Sequence, residues 1–208
     1  MKIAFYAPMK SPDHPVPSGD RRMARLIGKA LRKGGHQVDL VSRFRSFNKA
    51  GDPQVQSEIE EKGRQEAKRL EDDFRAIPEE DRPDAWFTYH VYHKAPDYLG
   101  PVVSKALDIP YLIAEASHAP KRKSGPWASG YAAAESAIRQ ADRVFHMTRL
   151  DGECLKPVVS SKEKLVYLPP FLDELPTASE TGLLDKERAK AGLQPEGLTL
   201  LTVAMMRS

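Results

Sequence analysis

The densest chemistry in this chain lies in Tyr89-His90-Val91-Tyr92-His93-Lys94, where two imidazoles, two phenols and an ammonium fall within six residues. Aromatic faces line sites for small polar ligands, and imidazole gives or takes a proton near neutral pH. His90 and His93 have i, i+3 spacing, but no third ligand stands at a fixed distance, so no metal is expected. The structural alternative is an aromatic plug at a strand end with a surface histidine. A second group is Glu115-Ala116-Ser117-His118, followed by Lys121-Arg122-Lys123 and Gly125. Its cations suit a phosphate or a charged acceptor, or else a solvated loop. A third is Pro17-Ser18-Gly19-Asp20-Arg21-Arg22, opening a helix. There Ser18, Gly19 and Arg22 can meet a phosphate, since glycine lets backbone amides approach an anion closely at a helix N-terminus. The structural alternative is a turn glycine with Ser18 or Asp20 as the cap. Thr148 and Asp151 can touch a ligand or form a capping box.

These residues must be positioned by secondary structure, and the order of elements is regular. Short apolar runs at 2–7, 38–42, 84–89, 110–115, 143–147 and 164–168 read as strands. Between them, helical periodicity covers 20–33, a stretch opening at the capping-box spacing Ser57-Glu58-Ile59-Glu60 and stopping at Pro78, 101–107, 128–141 and a short segment from Thr148 to Val158. Gly34-Gly35 ends the first helix. Near-continuous apolar strands such as Tyr111-Leu112-Ile113-Ala114 suit burial on both faces. The expected fold class is therefore α/β, a doubly wound, mostly parallel, Rossmann-like sheet. Ligands of such sheets gather at the carboxyl ends of the strands, which is where the three groups fall.

Composition narrows the classes. The 208 residues carry a net charge of only +3, with 40% apolar and 29% charged residues, an ordinary globular balance without the basic excess of a nucleic-acid binder. A single cysteine, Cys154, excludes an internal disulfide and suits a reducing compartment. There is no apolar run of spanning length. Neither G-x-G-x-x-G nor G-x-x-x-x-G-K-[ST] occurs, which argues against a dinucleotide-dependent oxidoreductase and a P-loop NTPase.

Several pieces in order carry a resemblance to a known family: Lys2-Ile3-Ala4-Phe5-Tyr6, Pro17-Ser18-Gly19-Asp20-Arg21-Arg22, Gly34-Gly35-His36-Gln37-Val38, Pro83-Asp84-Ala85-Trp86-Phe87, Ala141-Asp142-Arg143-Val144, and Leu168-Pro169-Pro170-Phe171-Leu172-Asp173. Together they resemble the N-terminal half of a family 4, GT-B-fold glycosyltransferase, and Leu200-Leu201-Thr202-Val203-Ala204 followed by Arg207 is similar to the first strand of that family's second domain. The resemblance implies an acceptor-side domain over 1–175, a linker and short helix over 176–197, and the start of a donor-binding domain over 198–208. It implies sugar transfer from a nucleotide-diphosphate sugar to a hydroxyl of a carbohydrate or lipid-linked acceptor, mostly with retained configuration, with no metal or other cofactor and no nucleic acid. The catalytic candidates are then His90, Glu115 and His118, the last by its place near the fourth strand end. The substrate-binding candidates are Ser18, Gly19, Arg22, Tyr89, Tyr92, His93, Lys94, Ser117, Arg122 and Thr148. The chain alone is expected to be inactive, in a cytoplasmic setting, free or peripherally attached to a membrane. The rival class is a non-catalytic carbohydrate- or nucleotide-binding module.

Overall fold

The structure is a computed structural model that describes residues 1–173 and 188–192. Residues Met1–Phe171 form one compact unit, and Leu172–Ser208 are grouped separately. The elements run β1 (Lys2–Tyr6), α1 (Gly19–Lys33), β2 (Gln37–Leu40), α2 (Pro53–Ala76), β3 (Ala85–Val91), α3 (Gly100–Leu107), β4 (Tyr111–Ala116), α4 (Ala128–Gln140), β5 (Arg143–His146), α5 (Arg149–Leu155) and β6 (Leu165–Tyr167). All five strand pairings are parallel, in the order β2-β1-β3-β4-β5-β6. The winding turns back between β1 and β3, and the crevice outside that point is where an open α/β sheet binds ligands.

Strand alternation divides the core. Ile3, Phe5, Phe87, Tyr89 and Ala114 face Ala24 and Ile27 of α1, with the Phe5, Phe87 and Phe145 rings stacked in sequence at 5.8 and 6.2 Å. Ala4, Tyr6, Trp86, Ile113 and Val144 face Ala67, Val103, Ala134, Ile138 and Leu155 from α2, α3, α4 and α5. Both faces of the central strands are buried, which explains their unbroken apolar runs.

Two expectations need correction. The long helix does not begin at a Ser57 box: it begins four residues earlier, with Pro53 in the first turn and Asp52 as the cap accepting from the Val55 amide at 2.9 Å. Proline lacks the N–H that a first turn leaves unpaired anyway, so it starts helices readily. The third strand runs two residues past Tyr89, so His90 lies within β3 and is not the first residue of a loop. The expected second-domain strand and Arg207 lie outside the described residues, and of the expected linker and short helix at 176–197 only 188–192 are described, with 188–190 helical. No helix among the described residues is long and apolar enough to cross a membrane.

Candidate functional site

At the winding reversal, β3 and β4 end in an unusual pair. His90 and Glu115 both have left-handed backbones, φ 66° and 59°, and lie side by side between the paired positions Tyr89–Ala114 and Val91–Ala116. Non-glycine residues in this region cost roughly 1–3 kcal/mol each, and such strain collects at functional sites. The His90 side chain, 15% exposed, sets Nδ1 2.9 Å from Asp20 Oδ1 and 3.9 Å from Glu115 Oε1. Asp20 is the second residue of α1, presented to the strand ends by the turn that Ser18 caps. The hydrogen bond to His90 holds the Asp20 carboxyl below the usual carboxylate range, against the upward pull of its burial. With Nδ1–H donated to this carboxylate, a neutral ring has its lone pair on Nε2, and no partner engages Nε2 among the described residues.

Tyr89 points the other way, into the core, and its hydroxyl donates to Glu115 Oε2 at 2.7 Å. Burial, with the Glu115 charge beside it, pushes that phenol well up, so it is a fixed donor that orients Glu115. The Tyr92 ring lies 4.9 Å from the His90 ring, and burial raises its phenol to about 12. His93 follows at 5.3 Å from Tyr92 and 5.9 Å from Trp127. Lys94 and Arg122 lie over the Trp127 ring at 4.6 and 5.0 Å. The structure thus brings His90, Glu115, Tyr89, Tyr92, His93, Lys94 and Arg122 into one continuous group.

Beside α1, Ser18, Gly19 and Arg22 border an open basin of about 460 Å³ with Arg21 and Arg25. The Ser18 hydroxyl accepts from the Arg21 amide at 3.2 Å. A side chain on Gly19 would meet nothing within 4 Å, so packing does not require glycine there.

The other candidates are tied elsewhere. His118 is 8% exposed, with Nε2 2.7 Å from the Tyr131 hydroxyl and 3.2 Å from Glu135, and Nδ1 3.3 Å from the Cys154 carbonyl. Both ring nitrogens are engaged, and the residue joins α4 to α5. The Thr148 hydroxyl accepts from the Asp151 amide and donates to its carboxylate, capping α5, while Ser117 reaches the same carboxylate at 3.4 Å. Two participants are not marked for this site by the sequence. In the sequence Asp20 reads only as a cap, because nothing local links it to a histidine 70 positions on. Trp127 carries no sequence signal of its own beyond closing the basic loop opened by Lys121. Among the described residues, no group of three or more His, Cys, Asp or Glu side chains could hold a metal ion.

No protein-family model matches the chain, and no curated protein sequence matches it. Solved structures do. Alr3699/HepE from Anabaena, in complex with UDP-glucose, is similar over 92% of this chain and 50% of its own, with a TM-score of 0.54 and 14% identity. UGT89C1 from Arabidopsis thaliana, complexed with UDP, is similar over 89% of this chain and 55% of its own, at 0.50 and 15%. The fold is that of a Rossmann-like GT-B domain. This chain therefore spans about half the length of the proteins it resembles in structure.

Proposed function

We propose that this chain is the acceptor-side domain of a GT-B glycosyltransferase, moving a sugar from a nucleotide-diphosphate donor to a hydroxyl, with His90 as the base that takes the hydroxyl proton. The observation carrying this reading is the Asp20–His90 contact at the winding reversal, which orients one imidazole nitrogen and leaves the other free. A carboxylate behind a histidine fixes its tautomer and stabilises the imidazolium formed on proton transfer, and positioned general bases contribute roughly 10²–10⁴-fold. Glu115, anchored by Tyr89, adds negative charge on the same side. The basin at Ser18, Gly19 and Arg22 offers helix amides and guanidinium groups to the departing diphosphate. The compared structures hold UDP-glucose and UDP, which supports a nucleotide-sugar donor.

Family 4 membership, suggested by sequence motifs, implies retained configuration. A His90 base acting in a single displacement inverts it, so the anomer of the product decides between the two. The test is transfer from a panel of nucleotide-diphosphate sugars by the gene product that contains this chain. His90→Ala and Asp20→Asn should each cut turnover about 100-fold or more, with an unchanged melting temperature. Unchanged turnover in both variants removes the base role. A carbohydrate- or nucleotide-binding module is the second reading, favoured by the open basin at Ser18, Gly19 and Arg22, which can hold an anion without any chemistry. Reading the coding sequence past Ser208 separates them: a second Rossmann-like half with paired glutamates supports the transferase, and a stop codon the module.

A further inference from the structure

Four cations gather on the loops that leave β3 and β4: Lys94, Lys121, Arg122 and Lys123. None has a carboxylate partner among the described residues, whereas Arg64, Lys68, Arg69, Arg75 and Arg139 on the helices are all paired. Two of the four stack on the same indole, Trp127. Three nitrogens in this cluster are shut from solvent with no hydrogen-bond partner: His93 Nε2, Arg122 Nε and Trp127 Nε1. The local potential is positive enough to matter, since His93 is pushed down by its burial and then by Arg122, Lys94 and Lys121. Helix α4 starts here with no side-chain cap and no acid in its first turn, so its positive end adds to the field.

The cluster is built on a rigid seat. Gln56, buried in α2, donates to the Pro126 carbonyl at 2.6 Å and accepts from the Ser129 hydroxyl at 2.9 Å and the Gly130 amide at 3.1 Å. Asn48 takes the Ala50 and Gly51 amides on its side-chain oxygen, each at 3.0 Å, and its backbone N–H donates to the Lys94 carbonyl at 2.8 Å. Gly51, at φ 77°, lies so close under Trp127 that a Cβ would overlap the indole. Residues 48–56 therefore hold the indole and the Lys94 backbone in place. The rings of Tyr92 and His93 connect this seat to His90.

We propose that this seat grips an anionic group, phosphate or carboxylate, carried by the acceptor, with Lys94 and Arg122 as the charge partners and Trp127 as the platform, while a hydroxyl of the same acceptor reaches His90. This rests on the transferase reading and adds the acceptor's charge class to it. An unbalanced cation cluster favours an anion over a neutral sugar, because charge-assisted hydrogen bonds are about twice as strong as neutral ones.

Intrinsic fluorescence of the 208-residue chain reads the site without any donor. Of the two tryptophans, Trp86 is fully buried and bonded to Thr88, so Trp127 is the responsive one. Titration with glucose 6-phosphate or glucuronate should give a saturable change about 10-fold or more tighter than glucose, one charge-assisted bond being worth that factor. Arg122→Gln should weaken it by a similar factor at an unchanged melting temperature, and Trp127→Phe should remove the signal. Equal response to glucose, to sodium chloride of matched ionic strength, or in Arg122→Gln and Lys94→Gln alike overturns the proposal. So does inorganic phosphate binding as tightly as the sugar phosphate, or a response only to vesicles of anionic lipid, which would assign the patch to a membrane surface. Anion-dependent fluorescence without transfer in any assay would refute the transferase reading alone. Transfer confined to neutral acceptors, with a silent fluorescence titration, would refute this proposal alone.

Discussion

His90 and Gly19 show how differently two residues can serve one site. His90 is fixed from three directions, by Asp20, by the Tyr92 ring and by its own left-handed backbone. Gly19 is fixed by nothing: a Cβ there meets open space, and no positive φ demands glycine. If its absent side chain serves the approach of a diphosphate, Gly19→Val should leave the melting temperature within about 2 °C while transfer falls, because surface changes away from packing stay within roughly 0.5 kcal/mol. Thermal denaturation paired with a transfer assay checks this, and full activity in the variant would remove the phosphate role.

Helix α3 hangs on one buried carboxylate. Asp97 accepts the Leu99 and Gly100 amides at 2.8 Å each, the Thr88 hydroxyl at 2.5 Å and the Tyr111 hydroxyl at 2.8 Å. Burial still raises its pKa, against the pull of these four donors. Asp97→Ala strands all four and should cost about 3 kcal/mol or more, near 10 °C in melting temperature for a chain of this size. Helices α4 and α5 are tied instead through His118 and Glu135. The Tyr131 hydroxyl, then Arg139, hold the Glu135 carboxyl down at about 2. A depressed carboxylate stabilises the fold above its unfolded pKa, and that contribution fades as pH falls from about 4.5 through about 2. Glu135→Gln should therefore be less stable than wild type at pH 7, with the gap closing below pH 4, as urea melts across pH will show. Element order was readable because apolar runs and 3.6-residue periodicity alternate cleanly along the chain. Element ends were less so, since a box at Ser57 looks as good locally as the true start at Asp52 and Pro53. The site was half legible: the His90–Lys94 run declares itself by density, but Asp20 meets His90 only once β1 and β3 are paired.

At the scale of the molecule, the six strands among the described residues and their covering helices lie within Met1–Phe171. Both core faces close within that unit, so it should fold cooperatively by itself. A chain ending at Asp173 should melt within about 3 °C of the full one, one kcal/mol being worth roughly 2–4 °C at this size. A large drop, followed by calorimetry, would show that residues beyond 173 complete the sheet. Turnover is another matter. Loss of one preorganised contact to a developing charge typically costs about 3 kcal/mol of barrier, so, on the transferase reading, transfer by this chain alone should fall below that of the gene product that contains it if contacts to the departing diphosphate come from outside these residues.

The twin left-handed residues at the ends of β3 and β4 imply a conflict between durability and chemistry. Alanine at position 90 would lose the imidazole and keep the backbone penalty, whereas glycine would lose the imidazole and shed the penalty. His90→Gly should therefore be the more heat-resistant of the two variants, by about 1 kcal/mol, although glycine weakens most strands. A population selected for thermal endurance alone would drift toward glycine or asparagine at both positions and lose the imidazole and the carboxylate together. Retaining them after such selection would mean that the chemistry at this strand end outweighs the stability it forgoes.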